Sequence, residues 1–146
     1  RHAGCRELMG GALHYPGAYA DGRDVVSAAG TGPEPGPVLA DFIASLTTEA
    51  GKANFGPANL AMKGFGVSEG AEAVGPYIVH THAKDGVQLD DGSGQEVPLG
   101  EGAVPWDEYI ETMGRVGFDG FYTIEREVGE NPEVDIRMAV DFLRRW

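Results

Sequence analysis

The sequence predicts an α/β fold in which helices pack on a parallel sheet, and two observations predict it. From Pro37 onward, strand patterns alternate with amphipathic helix patterns in the order α-β-α-β-loop-α-β-α. This alternation is typical of parallel strands that are joined by helices. The strand pattern at Tyr77–His82 is apolar with little alternation, as expected for a strand that is covered on both faces.

Residues 1–36 give a weaker pattern, because glycine and proline interrupt them repeatedly, most densely in the run GTGPEPGP at 30–37. We expect this segment to be poorly defined, with a short strand around Ala12–Tyr15 and a short helix around Asp24–Ala29. Residues 37–146 are predicted to form the α/β unit.

The first helix of this unit is predicted to begin at Pro37, which suits a first helical turn, and to end before Gly51. A short strand, KANF, and a short helix at Ser68–Val74 follow it. Residues 86–104 are rich in Gly and Asp and are predicted to form a long loop, of a length that is often functional.

Two helices flank the last predicted strand, FYTIE at 121–125, which is rich in aromatic and β-branched residues. The helix before it is led by Trp106, a side chain that we expect to pack against the sheet. The helix after it is capped by Asn131 and opened by Pro132. Its apolar face is predicted to consist of Ile136, Val140 and Leu143.

The charge of the chain disfavours two classes of partner. The formal net charge is −12, from 11 basic and 23 acidic side chains. Binding to nucleic acid or to anionic membranes requires clustered Lys and Arg, so we expect neither. The single cysteine, Cys5, cannot form an internal disulfide, which favours a cytoplasmic location.

Polar residues collect where the predicted strands end. Asn59 follows the first strand, His80 to Asp85 end the second, and Glu125 to Glu127 end the third. Ligands of parallel α/β folds bind at the carboxyl ends of the strands, so we expect a binding site there. His80 and His82 are two residues apart and point to the same face of their strand.

An ordered set of motifs resembles a known family. NFGPANL, HTHAKDG, PLGEG, GFDG and IERE follow one another between Pro37 and Trp146. In this order they resemble the C-terminal part of the sugar phosphate isomerase/epimerase family of xylose-isomerase-like TIM barrels. The resemblance implies parallel strands with outer helices, covering about the last four β/α units. A complete barrel needs roughly 250 residues, so we interpret the chain as a C-terminal half that is truncated or rearranged upstream.

The resemblance also implies a divalent metal, Mn, Zn, Co or Mg, held by a Glu, an Asp, a His and a second Glu. His82, in the H-x-K-D motif, and Glu125, in the I-E pair, match two of these ligands. Gly56 stands where the family has the Asp, and a weak match of ALHYPG places His14 or Tyr15 at the first Glu. We therefore expect that this chain does not retain the metal tightly.

The implied activity is isomerisation or epimerisation of a small sugar, sugar phosphate or polyol, by proton transfer next to a carbonyl. A lyase or dehydratase is an alternative. Glu125 is the predicted catalytic residue, and His80 is predicted to support His82 from behind. The predicted substrate-binding residues, for which capping, ion pairing or a solvated turn are the alternatives, are Asn59, Lys84, Asp85 and Glu127.

Two alternatives of other classes stay open. The first is a catalytically dead remnant that binds a partner or completes a barrel, for example as a homo-oligomer. Gly56 and the short chain favour it. The second is a metal hydrolase like endonuclease IV, which the net charge of −12 disfavours.

Overall fold

The computed structural model describes residues 16–146. Residues 16–20 are helical. The strands are β1 (Ser27–Gly30), β2 (Gly51–Phe55), β3 (Ile78–Ala83), β4 (Asp85–Gln88), β5 (Gly94–Val97) and β6 (Tyr122–Ile124). The helices are α1 (Gly36–Ala44), α2 (Pro57–Ala61), α3 (Val67–Val74), α4 (Trp106–Arg115) and α5 (Pro132–Leu143), and one 3₁₀ turn spans Gly75–Tyr77.

Four of the strands form one parallel sheet, in the order β1-β2-β3-β6. Helices connect the strands, so the predicted α/β class and the parallel sheet of a partial barrel are confirmed. Between β2 and β3 the register shifts at Ala53/Asn54, so that Asn54 pairs with His80. This irregularity brings the Asn54 and His80 side chains onto the same face of the sheet.

The two faces of the sheet differ in polarity. Buried side chains of β2 and β3, such as Phe55 and Ala83, pack against the helices in the hydrophobic core. Side chains alternate along a strand, so other residues of β2, β3 and β6 face the opposite, concave side. The polar residues on that side are Asn54, His80, His82, Thr123 and, directly after β6, Glu125. The concave face is therefore where the polar side chains converge.

Most predicted elements are confirmed, with bounds that differ by a few residues. The helix at Ser68–Val74 is α3, the strand at Tyr77–His82 is β3, and the strand at 121–125 is β6. The Asn131 side chain accepts a hydrogen bond from the Val134 amide and caps α5 as predicted. Within α5, Ile136 is exposed rather than packed on the sheet.

Two predictions about local structure are wrong, and a third is untested. The helix predicted at Asp24–Ala29 is the strand β1, because residues Ser27–Gly30 pair with β2 along its length. The first helix ends at Ala44, where the Ser45 hydroxyl donates to the Phe42 carbonyl, and Gly51 begins β2. The strand predicted at Ala12–Tyr15 lies outside the described residues.

The predicted loop at 86–104 contains a hairpin. Strands β4 and β5 pair antiparallel, with Asp85 opposite Val97 and Gln88 opposite Gly94. The turn between them is closed by Asp91, which accepts from the Ser93 amide and hydroxyl, and by Gly92 at φ +80°. The two short strands were not predicted, because the Gly- and Asp-rich composition of this segment is typical of a loop.

Helices α1 and α3 touch through glycines. A Cβ atom on Gly36 would lie 2.3 Å from the Gly70 Cα, and one on Gly70 would lie 2.3 Å from a methyl of Leu60. We expect Gly36→Ala to lower the free energy of unfolding by about 2 kcal/mol, because overpacking forces the backbones apart.

Urea unfolding followed by circular dichroism measures the effect of Gly36→Ala. Gly114→Ala is the matched control, because Gly114 lies within α4 and a Cβ there would meet nothing within 4 Å. That control should be neutral or slightly stabilising. Equal stabilities of the two variants would contradict the close helix contact.

Within residues 16–146, no helix is long and apolar enough to cross a membrane.

Candidate functional site

A pocket of about 270 Å³ lies at the carboxyl ends of the four parallel strands. Every strand contributes to its lining: Thr31 follows β1, Gly56 follows β2, His82 and Lys84 end β3, and Glu125 follows β6. Asn54, Asn59 and Glu127 complete the polar lining. The convergence of polar strand ends that the sequence predicts therefore occurs at one place.

The Glu125 carboxylate is the centre of this pocket. One of its oxygens, Oε2, lies 3.0 Å from His82 Nδ1 and 3.2 Å from Lys84 Nζ. The Lys84 ammonium also donates to the carboxylate of Glu127. The carboxylate thus lies between an imidazole and an ammonium group, while its side chain stays 30% exposed to the pocket.

Lys84 is the fixed positive charge of the site. Its side chain is only 9% exposed. Burial alone would lower its pKa, but hydrogen bonds to Glu127 and Glu125 and the charges of Glu125 and Glu96 outweigh burial, and its pKa is raised. Lys84 is therefore an ammonium cation at neutral pH.

His80 supports His82 through Asn54, which sequence reasoning missed. His80 Nδ1 lies 2.9 Å from Asn54 Oδ1, and Asn54 Nδ2 lies 3.4 Å from His82 Nε2. His80 Nε2 lies 2.8 Å from the hydroxyl of Thr123. The only available signal was an asparagine within an otherwise buried strand, where this residue is uncommon.

The orientation of the Asn54 amide favours one tautomer for each neutral histidine. With Asn54 Oδ1 facing His80 Nδ1, a neutral His80 donates from Nδ1 and accepts from the Thr123 hydroxyl at Nε2. Because the Asn54 nitrogen donates to His82 Nε2, the proton of a neutral His82 lies on Nδ1. His82 Nδ1 therefore donates to Glu125, which holds the carboxylate by a directed hydrogen bond.

Thr31, Gly56 and Asn59 form the opposite wall. The Thr31 hydroxyl accepts from the Gly56 amide at 2.8 Å, and Asn59 Nδ2 donates to the Thr31 carbonyl at 2.9 Å. Asn59 therefore lines the pocket with its amide nitrogen already engaged, and it does not cap α2. A Cβ on Gly56 would lie 2.9 Å from Asn59 Nδ2. The Asn59 side chain therefore occupies the space that a side chain at position 56 would need.

Asp85 lies away from the pocket and is 1% exposed. Its carboxylate accepts from the amides of Gly86, Gly100 and Val104 and from the indole nitrogen of Trp106, at 2.9–3.1 Å. These donors use both of its oxygens. The geometry favours a structural role, in which Asp85 folds the PLGEG loop, over the predicted contact with substrate.

The residues at the strand ends do not form a complete metal site. Across residues 16–146, no group of three or more His, Cys, Asp or Glu side chains is placed to hold a metal ion. His82 and Glu125 are two suitable donors. The residues that follow β1 and β2 are Thr31, which offers a hydroxyl, and Gly56, which has no side chain. His14 and Tyr15 lie outside the described residues. The donor set therefore does not fit the four-ligand metal that the sequence resemblance implies.

Known proteins resemble this chain over much of its length. A family model described as a xylose isomerase-like TIM barrel matches residues 33–146. L-ribulose-5-phosphate 3-epimerase UlaE of Salmonella paratyphi B is 36% identical over 70 residues, which are 47% of this chain and 24% of that protein.

Solved structures share the fold. A xylose isomerase domain protein from Planctomyces limnophilus matches with a TM-score of 0.81 and 28% identity, covering 95% of this chain and 51% of that one. A xylose isomerase-like TIM barrel protein from Mycobacterium smegmatis, in complex with magnesium, matches with a TM-score of 0.78 and 19% identity, covering 97% and 50%. The chain thus spans about half the length of these barrels, and it belongs to the xylose isomerase-like TIM barrel family.

Proposed function

We propose that this chain carries the proton-transfer part of the active site of a sugar isomerase or epimerase. The substrate would be a small sugar, a sugar phosphate or a polyol. The observation that carries the proposal is the Glu125 carboxylate, which faces the pocket between His82 and Lys84. The likeness to a sugar-phosphate epimerase supports it.

The reaction begins when Glu125 removes a proton from the carbon next to the substrate carbonyl. The C–H bond breaks, an O–H bond forms on Glu125, and the electron pair moves to the carbonyl oxygen. Lys84, a buried cation beside Glu125, stabilises the negative charge that develops on this oxygen. His82 holds the carboxylate in place through its Nδ1 proton.

The fate of the proton determines the product. Protonation of the same carbon from its other face, by a second acid on that side of the substrate, gives an epimer. Transfer of the proton from Glu125 to the neighbouring carbon gives an isomer. Loss of a hydroxyl from the carbon next to the deprotonated one, as water formed with the proton from Glu125, is the reaction of a dehydratase, the alternative class. Asn59 and Glu127 border the pocket and are our proposed contacts to substrate hydroxyls.

Exchange of substrate hydrogen with solvent tests this function. The chain is incubated in deuterated buffer with a panel of ketoses and ketose phosphates, including L-ribulose 5-phosphate, and deuterium at the carbon next to the carbonyl is followed by NMR. We expect incorporation above the buffer rate for at least one sugar. Incorporation at the buffer rate for the whole panel would contradict the proposal.

A second candidate function is that of a barrel-completing module. The exposed apolar side chains of the β6 edge and α5 favour it, and Phe121, directly before β6, is 87% exposed. Unpaired strand edges and exposed apolar patches are surfaces that other chains cover. We propose that another half-barrel, for example a second copy of this chain, binds along the β6 edge and α5.

Light scattering coupled to size-exclusion chromatography tests the second candidate. A dimer that Phe121→Glu converts to a folded monomer would support it. A monomeric wild-type chain at high micromolar concentration would contradict pairing between copies. The net charge of −12 continues to disfavour an endonuclease IV-like hydrolase.

A further inference from the structure

The hairpin β4–β5 lies outside the parallel sheet, yet one of its side chains is buried beneath the site. Glu96 on β5 is only 8% exposed, although Gln95 beside it is exposed to solvent. A carboxylate that is buried to this extent needs compensating partners. Glu96 has four of them, and all belong to Lys84 or to the segment that follows Glu125.

The two oxygens of Glu96 contact different parts of the site. Oε1 accepts from Arg126 Nη1 at 2.8 Å and from the Glu127 amide at 3.0 Å, with the Val128 amide at 3.5 Å. Oε2 lies 3.4 Å from Lys84 Nζ. One carboxylate thus joins the Lys84 ammonium to the backbone directly after Glu125.

The charges around Glu96 alternate in sign. Arg126 is also bonded to Asp135 in α5, at 2.7 Å, and is only 9% exposed. Burial alone would raise the pKa of Glu96, but the Arg126 hydrogen bond, the Glu127 amide and the charge of Lys84 outweigh it, and the pKa is lowered. Glu96 is therefore ionised at neutral pH, and the sequence Lys84–Glu96–Arg126–Asp135 is a continuous chain of ion pairs.

We propose that Glu96 is a positioning residue, which sets the orientation of Glu125 through Lys84 and the backbone of residues 126–128. This proposal rests on the proposed function. Removal of Glu96 would leave two backbone amides free to turn. It would also let the Lys84 ammonium move away from Glu125 together with the Glu127 carboxylate, because the Glu127 side chain is 65% exposed and free to change position. Both changes withdraw the partners that keep the Glu125 carboxylate against His82.

The test uses Glu96→Gln in the full chain, because glutamine keeps the size and one acceptor oxygen. Glu130→Gln is the matched control, since Glu130 lies exposed in the same loop after β6. Glu125→Ala, which removes both carboxylate oxygens, is the reference for complete loss of the contact with His82. The first readout is the ¹⁵N chemical-shift pattern of the His82 ring, which reports which nitrogen carries the proton.

In the wild-type chain and in Glu130→Gln, we expect the Nδ1-protonated pattern of His82. In Glu96→Gln we expect the pattern to move towards that of Glu125→Ala. The glutamine oxygen carries no charge and accepts more weakly, so we also expect amide exchange at Glu127 and Val128 to accelerate about tenfold, while Thr81 in the core keeps its protection. A His82 pattern identical to wild type in a folded Glu96→Gln would overturn the proposal.

Kinetics separate a positioning role from a purely structural one. Where the chain exchanges ketose hydrogen, Glu96→Gln should lower kcat about tenfold and leave KM within twofold. An unchanged kcat alongside faster amide exchange would show that Glu96 only fastens the hairpin, and would overturn the proposal. Absence of any exchange by the wild-type chain would contradict the proposed function, and the His82 readout would still decide the role of Glu96.

Discussion

Replacing Asp85 by alanine is expected to lower the free energy of unfolding by about 4 kcal/mol. Asp85 is 1% exposed, and its two oxygens accept from three backbone amides and the Trp106 indole. Alanine would leave these donors buried without an acceptor. Each buried donor that loses its partner costs about 1–3 kcal/mol, less where water can enter.

Urea unfolding of Asp85→Ala, Asp85→Asn and Asp90→Ala measures this role. Asparagine keeps the shape but presents an amide nitrogen to donors, so about half of the loss should remain. Asp90 lies exposed in the turn between β4 and β5, and its replacement should change stability by less than about 0.5 kcal/mol. A loss below about 1 kcal/mol in Asp85→Ala would contradict the structural role.

Replacing Glu125 by glutamine is expected to slow hydrogen exchange of a ketose substrate by about 10²–10⁴-fold, the usual contribution of a general base. Glutamine retains the oxygen that accepts from His82 and Lys84, so the pocket should keep its shape. The amide cannot take up a proton from carbon. The expected loss is therefore in kcat, with KM changed by only a few fold.

The control for this prediction is Glu130→Gln, which removes an exposed carboxylate from the same loop. It should exchange ketose hydrogen at the wild-type rate. Full activity in Glu125→Gln would show that another residue is the general base, and Glu127 would be the next carboxylate to replace. Loss of activity in both variants would point to a change in folding rather than in chemistry.

The sequence was sufficient to predict the sheet and the convergence of its polar ends. Helix patterns with Pro and Asn at their first positions and an apolar strand at Tyr77–His82 are local signals, and the structure keeps them. The fold class follows because alternating elements of this kind pack in few ways. His82 and Glu125, to which the family resemblance of the HTHAKDG and IERE motifs pointed, line one pocket.

Contacts between distant segments could not be predicted. Strand β1 exists because Ser27–Gly30 pairs with β2, and its own residues suggest a helix as readily as a strand. Glu96 reaches Arg126 across 30 positions, and nothing in the hairpin sequence indicates this partner. Asp85 matched a family motif, but the motif did not show that its carboxylate faces the PLGEG loop.

We propose that residues 16–146 supply only part of the site of the family, with a proton-transfer carboxylate, Glu125, but an incomplete set of metal ligands. A design that completes the set makes the claim testable. Gly56 has φ −112°, a conformation that any residue adopts, so Gly56→Asp needs only small shifts of the Asn59 and Thr31 side chains. Thr31→Glu would place a second carboxylate at the end of β1.

Calorimetric titration with Mn²⁺ is the measurement that tests this claim most directly. For the wild-type chain we predict no saturable binding up to about 1 mM, equivalent to a binding free energy weaker than about −4 kcal/mol. The Thr31→Glu/Gly56→Asp variant should bind at least about tenfold more tightly. Micromolar binding by the wild-type chain that His82→Ala abolishes would contradict the claim.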